Sequence, residues 1–487
     1  VADAFWAGIT IPSTFRMLFA EGALSAAFIP ILSRIQLKQG EEEGIRFARS
    51  ILNLLVLVVA ALVIVAILTA PFYASALFHK WQDNPERIAL ATRMIQMMFP
   101  FLFFISLSAW AMGIQNTHNR FFLPAVSPAV YNVVVICGAV FAGLRFSETN
   151  AAYVMAIAVV VGGLFQFAFQ VPAVRGLGYF SRAAFQLIHP ETKAFLIALT
   201  PTVFGLAVYQ VNLIVNRLYF ASYLEEGSIS SLMYAFRLLQ FPQGVLGVAV
   251  ATAALPQMVQ DAAQSSGDAF RKTTVRSLRI LILILIPASI GLVVIGHDLV
   301  GVVYNRGKFR IDELLNPTTS ALIAYSIGLL FFSAGKLLTQ GFYAYRDVST
   351  PVKIGCVTLV VNVVCCRLLV YRMGVAGLAL SSTIASAVQV ALLFLLLFPR
   401  LPGFPTRKIL TLTMKALLCA AFMGIACWLT LKPLAEFGEG FTGYGIRVFA
   451  GVGVGMMTYA GLAWLFLREE ISTFLKTRRT HTGTVES

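Results

Sequence analysis

Residues 51–78 read ILNLLVLVVAALVIVAILTAPFYASALF and contain no charged side chain. A helix needs about 20 predominantly apolar residues to cross the hydrocarbon core of a bilayer, so this stretch is long enough to span a membrane. The whole chain has the same character, since 58% of its 487 residues are hydrophobic and 12% are charged. This composition excludes a soluble globular domain and predicts a polytopic membrane protein.

Thirteen stretches of the chain have the length and composition of membrane spans. They lack the alternation of apolar and polar residues that marks barrel strands, and backbone in lipid must satisfy its own hydrogen bonds. The predicted fold is therefore an all-α polytopic membrane protein. The stretches are residues 5–33, 51–78, 88–115, 124–146, 151–174, 194–222, 228–257, 277–304, 318–344, 351–371, 374–398, 409–431 and 444–467.

The distribution of Lys and Arg orients the chain. Loop cations concentrate on the face reached by the end of the first predicted helix, and such loops stay in the cytoplasm. We therefore predict a cytoplasmic C-terminus, with Arg447 among the fewer cations of the outer face. The net charge of +15 then reflects topology rather than nucleic-acid binding. The six cysteines show no metal-ligand or redox spacing and are predicted to be packing residues.

Four cations fall at membrane depth in this arrangement: Arg16, Arg217, Arg237 and Lys336. The acidic residues nearest to them are Glu21 and, near the outer mouth, Asp3. A central cation costs about 2.5–3.5 kcal/mol on insertion scales, so we expect these side chains to line a hydrated cavity. Because a guanidinium can bind phosphate oxygens through two donors at once, the surplus of positive charge favours an anionic ligand.

Local ion pairs are the alternative for two of these cations. Arg16 and Glu21 lie five residues apart, which places them about 140° apart on a regular helix, whereas intrahelical pairs need a spacing of three or four. Gly22 could loosen the helix and bring them together. Arg217 could instead reach the outer interface, or pair with residues 225 and 226, both glutamates.

An internal repeat predicts the domain organisation. Arg16 and Arg237 each follow a phenylalanine and precede a glycine, small residues and a proline. Two parallel helical lobes with a binding site between them are a common transporter architecture. We predict an N-terminal lobe at 1–176, a C-terminal lobe at 177–400, a terminal helix pair at 401–468 without charge in its helix middles, and a cytoplasmic tail at 469–487.

Four segments carry a family resemblance: DAFWAGITIPSTFRMLFAEGALSAAFIPILS, YAFRLLQFPQGVLGVAVATAALPQM, YNRGKF and GFYAYRDVSTPVKIG. They resemble the MurJ (MviN) lipid II flippases of the MOP transporter superfamily, and the similarity extends from residue 1 to the last helix. The resemblance implies fourteen helices, of which the first is missing here, in two six-helix lobes. It also implies that the terminal helix pair forms a groove for the lipid tail.

The resemblance also assigns site residues. It implies that Arg16, Arg237, Glu21 and Asp3 lie in the substrate-binding cavity. The chain departs from the family pattern at Phe236, where the family usually has an aspartate, and at residue 17, a methionine where the family often has a second arginine. Loss of that aspartate removes a partner for Arg237 and makes the predicted cavity more positive.

The residues and the resemblance predict one function. The protein would move lipid II from the inner to the outer leaflet of the bacterial cytoplasmic membrane by alternating access, and so serve peptidoglycan synthesis. Its diphosphate would bind Arg16 and Arg237 while the tail remains in lipid. We expect no cofactor, with the membrane potential or an ion gradient as a candidate energy source. The expected partners are lipid II and membrane lipids, with the cell-wall synthesis machinery as a candidate.

Three other functions are alternatives. A flippase for another polyprenyl-linked glycan would use the same diphosphate chemistry. A multidrug or cation antiporter of the same superfamily would need buried carboxylates, whereas the surplus charge here is cationic. An enzyme would need a catalytic constellation, and the sequence has no nucleophile elbow, phosphate-binding glycine loop or zinc motif. We therefore predict a transporter rather than an enzyme.

Overall fold

The computed structural model describes residues 1–17, 23–180, 189–264, 267–306, 309, 314–468 and 470, with the backbone alone at residues 23, 25, 26, 201 and 202. Every regular element among these residues is helical. The chain divides into two compact units, Val1–Ile229 and Ser230–Ser487. The boundaries of the two lobes, the terminal pair and the tail remain predictions.

Unit 1 is a bundle around an apolar core. Phe28, Phe47 and Trp110 are fully buried in it, and the indole N–H of Trp110 donates to the carbonyl of Ala48 at 2.8 Å. The helices are α1 (Ala2–Arg16), α2 (Ala23–Gln39), α3 (Glu41–Leu77), α4 (Pro85–Met98), α5 (Pro100–Thr117), α6 (Phe122–Arg145), α7 (Glu148–Ala168), α8 (Val171–Gly176) and α9 (Thr192–Ile214).

Unit 2 begins within the next helix and ends with the terminal helix pair. Cys419 and Ala420 belong to a core cluster that this pair shares with the helix at Gly267–Tyr304. The helices are α10 (Ser228–Pro242), α11 (Ala249–Ala263), α12 (Gly267–Tyr304), α13 (Asn316–Ile327), α14 (Leu329–Ala344), α15 (Ser349–Leu397), α16 (Thr406–Leu434) and α17 (Phe441–Phe466).

Many of the helices are long enough to span a membrane. Among the described residues, ten are long and apolar enough to cross a membrane, or eleven if α13 and α14, bent by 45°, form one span. Gly374 interrupts the 49 residues of α15 with non-helical angles (φ 56°, ψ −132°), where the sequence predicts two stretches. The all-α membrane fold is confirmed, whereas the count of thirteen spans remains a prediction.

Neighbouring helices satisfy backbone groups that prolines leave open. Pro71 lies inside α3 and has no N–H, so the carbonyl of Ile67, four residues earlier, loses its usual donor. The side-chain amide of Gln96 in α4 donates to that carbonyl at 3.1 Å. Because the hydrocarbon core supplies no donor, this contact pairs a carbonyl that would otherwise be left without a hydrogen bond.

Candidate substrate-binding site

Asp3 lies buried in the first turn of α1, with 5% of its surface exposed. Its carboxylate accepts hydrogen bonds from Nη2 of Arg87 at 3.1 Å and from the backbone N–H of Gly227 at 2.8 Å. The Arg87 guanidinium lies 3.8 Å from the centre of the Trp81 ring, and its Nη1 lies 3.4 Å from Glu226. Asp3 therefore ties together three segments of unit 1 that are distant in sequence.

Arg16 is the last residue of α1 and is half-buried. It lies thirteen residues after Asp3 on the same helix, which corresponds to about 20 Å along the helix axis. Glu21 lies outside the described residues. The choice between a local ion pair and a cavity role for Arg16 and Glu21 therefore stays open.

Arg217 lies in a π-helical turn at Val215–Phe220, which continues α9. It is buried, with 7% of its surface exposed, and the neighbouring Asn216 is 1% exposed. π-Helical turns are rare and are frequent at functional sites. Glu226, one of the predicted partners of Arg217, contacts Arg87.

Arg237 is exposed on α10, five residues before that helix ends. It lies near enough to Tyr304 of α12 to interact electrostatically with the phenol oxygen. The preceding Phe236 packs its ring against Tyr325, with 5.7 Å between the ring centroids. The position where the family usually has an aspartate therefore takes part in aromatic packing.

An apolar cavity of about 580 Å³ lies beside Arg237 in unit 2. Its volume falls in the range typical of small-molecule sites, about 300–1,000 Å³. Leu238, Phe241 and Pro242 line it from α10, the helix that carries Arg237. Arg237 and Phe241 are four residues apart and so lie on one face of the helix. The other lining residues belong to α12 (Leu283, Ile284, Pro287, Ala288, Gly291, Leu292, Ile295, Leu299), α16 (Met423, Cys427) and α17 (Gly451, Val452, Gly455, Met456, Tyr459).

Lys336, the fourth predicted cation, is exposed on α14 between buried neighbours. It belongs to unit 2, as Arg237 does, whereas Asp3, Arg16 and Arg217 belong to unit 1. Within the described part of the chain, no group of three His, Cys, Asp or Glu residues could hold a metal ion.

Arg447 forms an ion pair that the sequence analysis did not identify. It lies near the start of α17 and is buried, with 6% of its surface exposed, and its place near the outer face remains a prediction. Its Nε donates to Oδ1 of Asp298 in α12 at 2.7 Å. Opposite charges inside two predicted spans, 277–304 and 444–467, were the signal that could have identified this pair.

Comparisons with known proteins agree with one another. The family model described as "Lipid II flippase MurJ" matches residues 1–444. The lipid II flippase MurJ of Burkholderia cenocepacia is 34% identical over 397 residues, which cover 81% of this chain and 76% of that protein.

Solved structures show the same relationship in three dimensions. A lipid II flippase MurJ in an inward closed conformation superposes with a TM-score of 0.80 and 26% identity, covering 96% of this chain and 93% of that one. A multidrug resistance MATE family transporter of the MOP superfamily, in an inward-facing conformation, superposes with a TM-score of 0.67 and 15% identity. The match covers 83% of this chain and 94% of that one. The latter shares the fold alone. With nearly the whole length matched in sequence and in structure, this chain belongs to the MurJ family of lipid II flippases.

Proposed function

We propose that this protein moves lipid II from the inner to the outer leaflet of the bacterial cytoplasmic membrane by alternating access. The arrangement on α10 is the observation that carries the proposal. Arg237 is exposed on this helix, and Leu238, Phe241 and Pro242 of the same helix line an apolar cavity. A lipid whose anionic diphosphate joins a long hydrocarbon tail needs a cation and an apolar surface side by side.

The cations give the proposed site its chemistry. Arg237 and Arg16 would each donate hydrogen bonds to diphosphate oxygens, because a guanidinium presents several donors in one plane. Arg217, Lys336 and Glu21 would set the charge around them. Positive charge lowers the cost of bringing an anionic head group to bilayer depth, which is the barrier that slows spontaneous transfer. Asp3 would act as a positioning residue, since its carboxylate already binds Arg87.

The apolar cavity would hold the part of the tail nearest the diphosphate. Burial of apolar surface contributes about 25 cal/mol per Å², so the cavity would strengthen binding only for ligands with a hydrocarbon chain. In this proposal the terminal helices α16 and α17 form the tail groove with α10 and α12. The protein would act as a transporter, with no chemical step of its own.

The membrane potential is the proposed energy source. A cation that moves across the membrane gains or loses about 2.3 kcal/mol per 100 mV, so an inside-negative potential would favour return of the emptied cationic site toward the cytoplasm. We further propose a cytoplasmic C-terminus, lipid II and membrane lipids as binding partners, and the cell-wall synthesis machinery as a protein partner.

A flippase for another polyprenyl-linked glycan is the second candidate, since Arg237 and the cavity would contact only the diphosphate and the tail. The test is translocation in proteoliposomes that hold either lipid II or a polyprenyl diphosphate carrying an unrelated glycan. We expect transfer of lipid II across the bilayer. Transfer of the unrelated glycan alone would support the second candidate, and transfer of neither would contradict both.

A further inference from the structure

Two ion pairs join α12 to the end of the chain, one at each end of the apolar cavity. Asp298, late in α12, binds Arg447, early in α17, at 2.7 Å. Arg279, early in α12, binds Glu470, just after α17, at 3.2 Å. The two helices therefore run antiparallel, and all the residues of both that line the cavity, except Leu299, lie between these pairs in the sequence.

The two pairs differ in burial and in the number of contacts. The side chains of Asp298 and Arg447 are 12% and 7% exposed, whereas those of Arg279 and Glu470 are 26% and 29% exposed. Arg447 also donates from Nη1 to the carbonyl of Gly438, at 3.0 Å, in the connection between α16 and α17. The guanidinium of Arg447 thus joins α17 both to α12 and to the connection between α16 and α17.

The buried pair, Asp298 with Arg447, lies near one end of the cavity-lining residues of α12 and α17. Ile295 and Leu299 line the cavity on either side of Asp298. On α17 the cavity begins with Gly451, four residues after Arg447 and therefore on the same face. Beyond the pair the helices are in close contact, since a Cβ added to Gly301 would lie 2.7 Å from the ring of Tyr444. On α12 the cavity thus ends within one helical turn beyond the pair.

In a membrane, polar contacts help to hold α17 against α12. Lipid tails are as apolar as the side chains of α17, so no hydrophobic force holds this helix against α12. A cavity between the helices also removes van der Waals contacts that would otherwise join them. Directional polar contacts therefore help to fix the separation and the register of the two helices. They include the two ion pairs and the hydroxyl of Tyr459, which donates to the carbonyl of Leu283 at 2.8 Å in the cavity wall.

We propose that Asp298 and Arg447 are positioning residues that set the shape of the tail cavity and form its closed end. The proposal rests on the proposed function. In this proposal the pair affects only the binding of the hydrocarbon chain. The predicted cations bind the diphosphate. Two other titratable groups face the carboxylate among the described residues: His297, whose Nδ1 lies 3.9 Å from Oδ1 of Asp298 and whose side chain is 42% exposed, and Tyr444, whose ring centre lies 4.9 Å from the guanidinium of Arg447.

The test compares two ligands that share the diphosphate group. The dissociation constants of inorganic diphosphate, which has no chain, and undecaprenyl diphosphate, which has a long chain, are measured on the purified protein in detergent. We expect Asp298→Ala with Arg447→Ala to lower the preference for the long chain about tenfold, as follows from losing the burial of about two methylene groups. The affinity for inorganic diphosphate should not change. A change in the fraction of folded protein would instead affect both ligands equally.

Two further variants complete the design. Arg279→Gln breaks the exposed pair between the same two segments and is expected to leave the preference unchanged. Asp298→Asn keeps an acceptor for Nε of Arg447, so it should fold if the double variant does not, and should lower the preference in the same direction by a smaller factor. An unchanged preference in a folded Asp298 variant would overturn the inference. Failure of the unmodified protein to bind either diphosphate would instead count against the proposed function.

Discussion

Asp3 and Arg87 are 84 residues apart in the sequence and 3.1 Å apart in the structure. The pair connects the start of α1, which carries Arg16 at its other end, to the start of α4. Gly227, near the end of unit 1, donates to the same carboxylate. The carboxylate of Asp3 therefore joins three segments of unit 1.

Removal of this carboxylate should destabilise the protein. Asp3→Ala leaves the largely buried guanidinium of Arg87 without its partner, and breaking a buried pair in this way costs about 3–5 kcal/mol. We expect a loss at the lower end of that range in the free energy of unfolding, measured by denaturant titration in detergent. Glu226→Gln is the matched control, because Glu226 contacts the same guanidinium but its side chain is 77% exposed; its loss should be below about 1 kcal/mol. Equal losses would contradict a structural role for Asp3.

Filling the apolar cavity should weaken tail binding without loss of stability. Gly291 lines the cavity, and a Cβ added there meets no atom within 4 Å. A leucine at this position would displace about three methylene groups of a bound tail, which lowers the affinity for undecaprenyl diphosphate by about 2.4 kcal/mol, or about fiftyfold. Leucine also has a higher helix propensity than glycine, so the protein should not unfold more easily.

Gly453 of α17 provides the control for this substitution. It has equally open space around it but does not line the cavity. Gly453→Leu should therefore leave the affinity for the long-chain diphosphate unchanged. If Gly291→Leu also leaves it unchanged, the cavity does not hold the tail.

Asp347 should stabilise the start of α15 in a pH-dependent way. Its carboxylate accepts hydrogen bonds from the N–H and hydroxyl of Thr350 and from the hydroxyl of Ser349. Burial by itself would raise the pKa of this carboxyl, but these hydrogen bonds and the nearby guanidinium of Arg400 lower it below the ordinary value. A carboxylate with a lowered pKa stabilises the fold above the pKa of its unfolded state, about 3.9, and loses that contribution as the pH falls through its folded pKa.

The measurement is the unfolding free energy of Asp347→Ala between pH 3 and pH 7. We expect a loss of about 1 kcal/mol at neutral pH, typical of a helix cap, and a smaller loss in acid. Asp347→Asn keeps an acceptor for the N–H of Thr350 without the charge. It should retain part of the stability and show a weaker pH dependence. A loss for Asp347→Ala that is the same across this range would show that the ionised form contributes nothing.

Transport should respond to the membrane potential. If one net positive charge of the empty site crosses the membrane in each cycle, 100 mV changes its free energy by about 2.3 kcal/mol. We expect lipid II transfer in proteoliposomes to rise when a potential, negative on the side where lipid II is loaded, is imposed with a potassium gradient and valinomycin. Transfer that is indifferent to the potential at constant ion gradients would rule out this energy source.

Hydropathy was sufficient to predict an all-α membrane fold, because each span is a local property of about 20 residues. The contacts between different spans are harder to predict from the sequence. Asp298 and Arg447 are 149 residues apart, and a positive-inside count treats every cation near a helix end as a loop cation. Their charges inside two predicted spans could have identified the pair, since buried charges require partners.

The sequence singles out Arg237 as an arginine within an apolar stretch, and the structure shows it exposed on α10. Its role in binding remains a prediction. The adjoining cavity depends on how α10, α12, α16 and α17 pack, which no local pattern records. Asp3 was predicted as a ligand-binding residue from a motif, whereas its contact with Arg87 follows from the fold.

The most direct test of the account is the amount of lipid II on the outer leaflet of bacteria that are depleted of their own flippase and express this protein. We expect the protein to restore that exposure, and Arg237→Gln to lower it about tenfold or more, because a hydrogen bond to a charged group contributes about 1.5–3 kcal/mol. Arg145→Gln, at an exposed arginine in the last turn of α6, should behave like the unmodified protein. If the inserted protein restores no exposure, or if Arg237→Gln restores it fully, the account is contradicted.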